Sequence, residues 1–224
     1  MNTDPQVAIL AQDLATQRPA LRGTLHLAAA FAAVAGTVWL QLIADSPTAY
    51  VGAAIFGASL ILLYSTSAGY HTIAWSDALR NIVRRVDHSM IFVLIAGTYT
   101  PFCLAVSLQW GIPLLVAVWT LAGAGTLLTS FRPDAPRWLS VGLYIGLGWV
   151  GVVTVSEALA EFAVAPLVML AIGGALYTAG GIVYGLRRPD PWPRVFGFHE
   201  VFHGFVVAGS AVHFSLIAAY ILPK

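Results

Sequence analysis

Charge is what this chain has least of. Only 9% of its 224 residues are Asp, Glu, Lys or Arg, and 58% are hydrophobic; soluble domains carry about 25% charged residues. A soluble fold of this length could not bury so much apolar surface, so the composition excludes a water-exposed domain and points to a bilayer. The balance of 11 Lys and Arg against 10 Asp and Glu leaves a net charge of +1 and no basic field for nucleic acid. Cysteine occurs once, at Cys103, which excludes an internal disulfide framework and a cysteine-based zinc cage. The segment 1–22 is mixed and polar and lacks the apolar run and cleavage site of a signal peptide. The first apolar span is therefore expected to stay in the protein.

What the chain does have is long apolar runs. A membrane helix needs about 20 such residues, and seven stretches qualify: 24–43, 49–74, 88–107, 112–130, 138–156, 163–186 and 199–222. Turn chemistry separates them, from Asp45-Ser46-Pro47 to Pro189-Asp190-Pro191-Trp192-Pro193. The fold class is all-α: a polar segment 1–22, then an integral membrane bundle of seven helices over 23–224. All ten arginines fall before span 1 or between spans 2 and 3, 4 and 5, or 6 and 7. The positive-inside rule then puts the N-terminus and segment 1–22 in the cytoplasm and the C-terminus outside, in a multi-pass protein of the cell (inner) membrane.

Polar side chains inside spans are costly and mark function. In this topology span 2 ends near His71, span 3 starts with Asp87-His88, and span 7 starts with His199-Glu200 and His203. These residues are far apart in sequence yet share one depth, in the cytoplasmic leaflet. His199 and His203 stand one helical turn apart on one face, as do Ser67 and His71. Two such histidines can share a metal. Zinc takes nitrogen ligands tetrahedrally and keeps one position open when catalytic, so His71, His199 and His203 form a candidate zinc site. Asp87 could hold the metal's water or orient a histidine; it could equally cap span 3. Ser67 could instead be a packing residue, and the histidine pair could simply bond backbone or headgroups at the interface. His88 points about 100° away from Asp87 and reads as interfacial, as does His26 at the start of span 1. His213, near the other leaflet and about 80° off the histidine face, should not reach the metal. Gly97-Thr98-Tyr99-Thr100-Pro101 should kink span 3, with Tyr99 and Thr100 facing a cavity.

His199-Glu200-Val201-Phe202-His203 also spells the H-E-x-x-H of zinc proteases, where the glutamate is the general base. A membrane bundle offers no soluble catalytic domain or cleft for that chemistry. The runs Ser67–His71 (SAGYH), Val86–Pro101 (VDHSMIFVLIAGTYTP), His199–His203 (HEVFH) and Val212–Phe214 (VHF) resemble the hemolysin III family. This is the bacterial branch of the seven-helix progestin and adiponectin receptor (PAQR) group. The resemblance implies zinc on His71, His199 and His203, with Ser67 and Asp87 around the zinc-bound water, and leaves Glu200 incidental. Its similarity to alkaline ceramidases implies zinc-dependent hydrolysis of a lipid amide or acyl bond. The lipid-like substrate would enter an internal cavity open to the surrounding membrane lipids, where Ser67 could donate to the oxyanion. The non-enzymatic alternative is a sensor or modulator of membrane composition with structural zinc. The orientation is directly measurable: a reporter fused after Lys224 is expected to be active outside the cytoplasm, and cytoplasmic activity would overturn the arginine argument.

Overall fold

A computed structural model describes residues 19–132 and 135–222; the segment 1–18, Pro133, Asp134, Pro223 and Lys224 lie outside the described residues, and with them most of the expected polar N-terminal segment. The spans form helices α1 (Thr24–Ile43), α2 (Pro47–Thr72), α3 (Asp77–Ala105), α4 (Leu108–Phe131), α5 (Arg137–Gly148), a short α6 (Val155–Glu161), α7 (Val164–Leu186) and α8 (Phe198–Leu216). A 3₁₀ turn extends α5 to Thr154, and a π turn extends α8 to Ile221. Apart from α6, all are long and apolar enough to cross a membrane, seven in number among the described residues. Helices suit this chain because no water in hydrocarbon can satisfy the backbone, and a helix satisfies its own.

Most expected boundaries fall within two residues of the observed ones; the start of span 4, at Leu108 instead of 112, and span 3 do not. Span 3 begins at Asp77, after Ser76, instead of near residue 88. The stretch 77–87 is amphipathic and charged, so hydropathy counting misses it, yet it continues the same helix beyond the apolar zone. Pro101 does not end α3, which runs on to Ala105. The hydroxyls of Thr98 and Thr100 bond back to the carbonyls of Leu94 and Ala96, at 2.8 and 2.9 Å, beside the bond that proline removes. Thr100 is buried and accepts a bond from Trp119 Nε1 at 3.1 Å, so it faces protein; Tyr99 does line the cavity.

The helices pack in sequence from α1 to α4, while α7 pairs with α8, α5 rests on α7, and α8 closes back on α1. α2 and α8 are not among the closely packed pairs. Side chains span between them instead: Tyr64 Oη donates to Ser210 Oγ at 2.7 Å, and Tyr177 Oη meets the same oxygen at 2.7 Å. At the far end Glu161 accepts from Trp110 Nε1 at 3.1 Å and from the Ser107 backbone, tying the α6 end to the start of α4.

Small residues set the closest approaches. A Cβ on Gly125 of α4 would run into the Phe92 ring of α3, whereas one on Gly123, two residues earlier, would meet no atom within 4 Å. Gly125→Ala is therefore expected to destabilise by about 1–3 kcal/mol through overpacking. Gly123→Ala should be neutral or stabilise by up to about 1 kcal/mol through helix propensity. Melting of the two variants in detergent checks the contrast; equal melting temperatures would mean that α3 and α4 do not pack as described.

Candidate metal centre

The site is assembled at the helix ends that carry the arginines. α8 starts after a loop that folds back on the residues before α1: Ala20 N–H donates to Arg194 O at 3.0 Å and Leu21 N–H to Val195 O at 3.2 Å. Gly197 is the N-cap, and Glu200 Oε2 accepts its N–H at 2.8 Å. The other oxygen of Glu200 pairs with Arg22 Nε, and the carboxylate is 1% exposed. Both oxygens are thus engaged in holding the start of α8 against the start of α1. Glu200 therefore has a structural task at the start of α8.

That anchoring fixes the rotation of α8 and presents His199 and His203 toward α2. His199 Nε2 lies 3.1 Å from His71 Nε2. Their ring centroids are 4.7 Å apart, and those of His203 lie 4.5 Å from His199 and 5.2 Å from His71. One nitrogen from each of the three falls within 4.8 Å of the others. Tetrahedral zinc with bonds of about 2.0–2.1 Å separates its nitrogen ligands by roughly 3.4 Å, so the arrangement has metal-site dimensions. The donor set is three imidazoles in an apolar bundle. Such a cluster could coordinate a metal ion and would leave one position of a tetrahedron open.

Ser67, one turn before His71 on α2, is buried and stands beside the Asp87 carboxylate of α3. Asp87 is no helix cap, because α3 begins ten residues earlier; it is a buried carboxylate in mid-helix. Asp87, Ser67, His199 and His203 all line one cavity of about 650 Å³. His88 lines it too, and its carbonyl accepts from Tyr144 Oη at 3.1 Å. His213 lies away from the cluster, packed against Gly173, with Nε2 3.3 Å from the Leu170 carbonyl.

His26 departs most from expectation. It is 2% exposed and stacked face to face on His203, centroids 3.6 Å apart and planes 10° from parallel. Tyr64 closes its edge at 5.0 Å. Neither of its ring nitrogens has a hydrogen-bond partner among the described residues. Spacing within α1 could not reveal this contact, but depth could have: His26 sits in the first turn of span 1, level with the other histidines. Gly23 completes the fit. It adopts φ 84°, in the left-handed region, and a Cβ there would lie 2.8 Å from His71 Cβ.

With that geometry described, comparison with known proteins decides the family. The model for the family described as Haemolysin-III related matches residues 14–214. The chain belongs to the hemolysin III family. It is 37% identical over 167 residues to the hemolysin-3 homolog of Bacillus subtilis, covering 74% of this chain and 75% of that one. Hemolysin-3 of Bacillus cereus is 33% identical over 179 residues, 79% and 78% of the two chains. Heptahelical transmembrane protein 4 of Arabidopsis thaliana is 27% identical over 193 residues, 75% of this chain and 48% of its own. This hemolysin III protein thus shares the wider PAQR-like seven-helix architecture, and it is a multi-pass protein of the inner membrane.

The Arg22–Glu200 pair yields a test of the scaffold. Arg22→Gln or Glu200→Gln alone strands a buried charge and should each destabilise by about 3 kcal/mol. The double replacement by methionines should cost less than either single change. Melting in detergent measures all three, and single variants as stable as the parent would show that the pair does not hold α8.

Proposed function

We propose that this protein is a zinc-dependent membrane hydrolase acting on an amide or acyl bond of a lipid. His71, His199 and His203 hold the metal, and Asp87 and Ser67 are its catalytic neighbours. The observation that carries the reading is the convergence of three histidines from α2 and α8, two of which, His199 and His203, line one largely apolar cavity together with Ser67 and Asp87. Pockets of about 300–1,000 Å³ with few converging polar groups are the usual form of small-molecule sites. The orientation taken from the arginines puts the centre in the cytoplasmic leaflet, within a membrane domain that begins near residue 23.

When bound, zinc supplies Lewis acidity that brings the pKa of water toward about 7 and polarises a carbonyl. The chain's own residues do the rest. Asp87 accepts a proton at its carboxylate and can return it to the leaving group. Ser67, beside it on the same cavity wall, can donate to the developing oxyanion. The apolar wall excludes bulk water and receives the acyl chain. Stacking of His26 on His203 holds one ligand ring in plane, as surroundings of metal ligands commonly do.

A second reading has its own support. α2 and α8 are not a closely packed pair, and the histidine cluster bridges them. A metal there could act as a staple in a non-enzymatic sensor or modulator of membrane composition.

Purified protein is expected to carry about one zinc per chain, falling sharply in His71→Ala, His199→Ala and His203→Ala but not in His213→Ala. Asp87→Asn should keep most of the zinc, since such neighbours cost about 10–100-fold in affinity, and should lose turnover of a ceramide-like lipid because an amide accepts no proton. Glu200→Gln should keep zinc and show any deficit only as lost stability. Full zinc in all three histidine variants would overturn the site. Turnover retained in Asp87→Asn would overturn its role, and zinc without turnover in the parent would favour the staple.

A further inference from the structure

The cavity does not stop at the histidines. It runs along α3 from Arg84 to Phe102 and Cys103, roughly 27 Å of helix and most of a bilayer's apolar thickness. Its far part is bounded by residues such as Leu114, Phe162 and Leu167. Its near mouth is not. Arg84, Arg85, Arg132, Arg137 and Arg187 all line it, contributed by α3, α5 and the ends of α4 and α7.

The positive-inside rule accounts for arginines on this side of the membrane, but not for their placement around one opening. Arg80, Arg188 and Arg194 lie on the same side and do not line the cavity, and Arg22 is taken by Glu200. Among the described residues none of the five forms an ion pair with a carboxylate. Arg137 lies over the Tyr184 ring at 4.7 Å, with Nη1 3.4 Å from the Tyr184 carbonyl, which holds its guanidinium in place. The one described carboxylate lining the cavity is Asp87, which sits beside Ser67 near the histidines. An apolar tunnel with a ring of forked cations at one end matches a molecule with a long chain and an oxyanion head.

We infer that the cavity takes an acyl lipid whose head group is an oxyanion, phosphate or carboxylate, held by this arginine mouth while the acyl chain fills the tunnel. The inference rests on the proposed lipid site and narrows its substrate class: an acidic acyl lipid is bound in preference to a neutral one of the same chains. Each basic residue near a membrane surface contributes about 1 kcal/mol to binding acidic lipid, so two of them shift the preference by more than ten-fold.

Native mass spectrometry of the full-length protein in neutral detergent can read this, with dioleoyl phosphatidic acid and dioleoylglycerol offered at equal concentration. The parent should retain the acid at least ten-fold over the diacylglycerol. Arg84→Gln with Arg132→Gln, which leaves eight arginines to set topology, should bring that ratio near one, and Arg84→Lys with Arg132→Lys should restore most of it. Gly148 lines the cavity, and a Cβ there meets no atom within 4 Å, so Gly148→Phe should fill it and lower retention of both lipids. Equal retention of the two lipids by the parent, with both lost in Gly148→Phe, would overturn the acidic preference and leave the lipid cavity standing. Retention untouched by Gly148→Phe would overturn the cavity itself. Inorganic phosphate at the same concentration should displace neither lipid; displacement by it would make the mouth a free-anion site and overturn the amphiphile.

Discussion

The ion pair between Arg22 and Glu200 stands where the first and last helices begin, and the way α8 enters the bundle follows from it. An ionised carboxylate 1% exposed survives in this setting only if both its oxygens are answered. Arg22 answers one and the Gly197 N–H the other. Because Gly197 is the residue at which α8 begins, satisfying Glu200 also decides the rotation with which α8 enters the bundle. His199 and His203 inherit that rotation. On the α1 side, Gly23 follows Arg22 in a conformation open to glycine, and its bare Cα lets His71 come close. Position 200 in the H-E-x-x-H stretch therefore bears on the centre through the start of α8.

Much of this arrangement was legible in the sequence, for different reasons in different places. The spans were legible because a helix must be apolar for about 20 residues to cross hydrocarbon, and α1 was read to the residue. The start of α3 was not, because Asp77–Asp87 is a charged helix outside the apolar zone and hydropathy does not distinguish it from a loop. His71, His199 and His203 were legible because two cues agreed: spacing of one turn within a helix and equal depth between helices. Asp87 was found by depth alone, so its place beside Ser67 and its position inside α3 needed coordinates. His26 shows the limit of spacing arguments. Nothing along α1 shows that its first turn lies against α8, since that contact depends on how the last helix closes back on the first. The partner of Glu200 was hidden for the same reason.

The bundle sorts its polar side chains by end. At the far end Glu161, Trp110 and the Ser107 backbone form a tie that closes structure around the cavity. Midway, Ser210 is shared by Tyr64 and Tyr177 and joins α2 and α7 to α8. Each of these groups is satisfied by its neighbours and reads as architecture. At the arginine end the pattern changes: three imidazoles crowd together, a fourth stacks on one of them with no hydrogen-bond partner among the described residues, and guanidinium groups surround an opening. Polar groups gathered around space instead of around one another are the mark of a site, because their cost is offset only when something else is bound.

The cluster's location also bears on the choice between staple and catalyst. A metal that merely fastened α2 to α8 would serve equally well anywhere along their length, and a dry, closed pocket would suit it best. Two of these histidines, His199 and His203, instead stand on the wall of a cavity that reaches across the bundle, as do Asp87 and Ser67, the serine one turn before His71 on α2. A carboxylate buried in an apolar wall opposes stability unless chemistry requires it, and hydrophobic replacements would pack at least as well. The Ser67–Asp87 pair is therefore the feature that a purely structural metal leaves without a purpose. It is the feature on which the proposed hydrolytic reading rests against the staple.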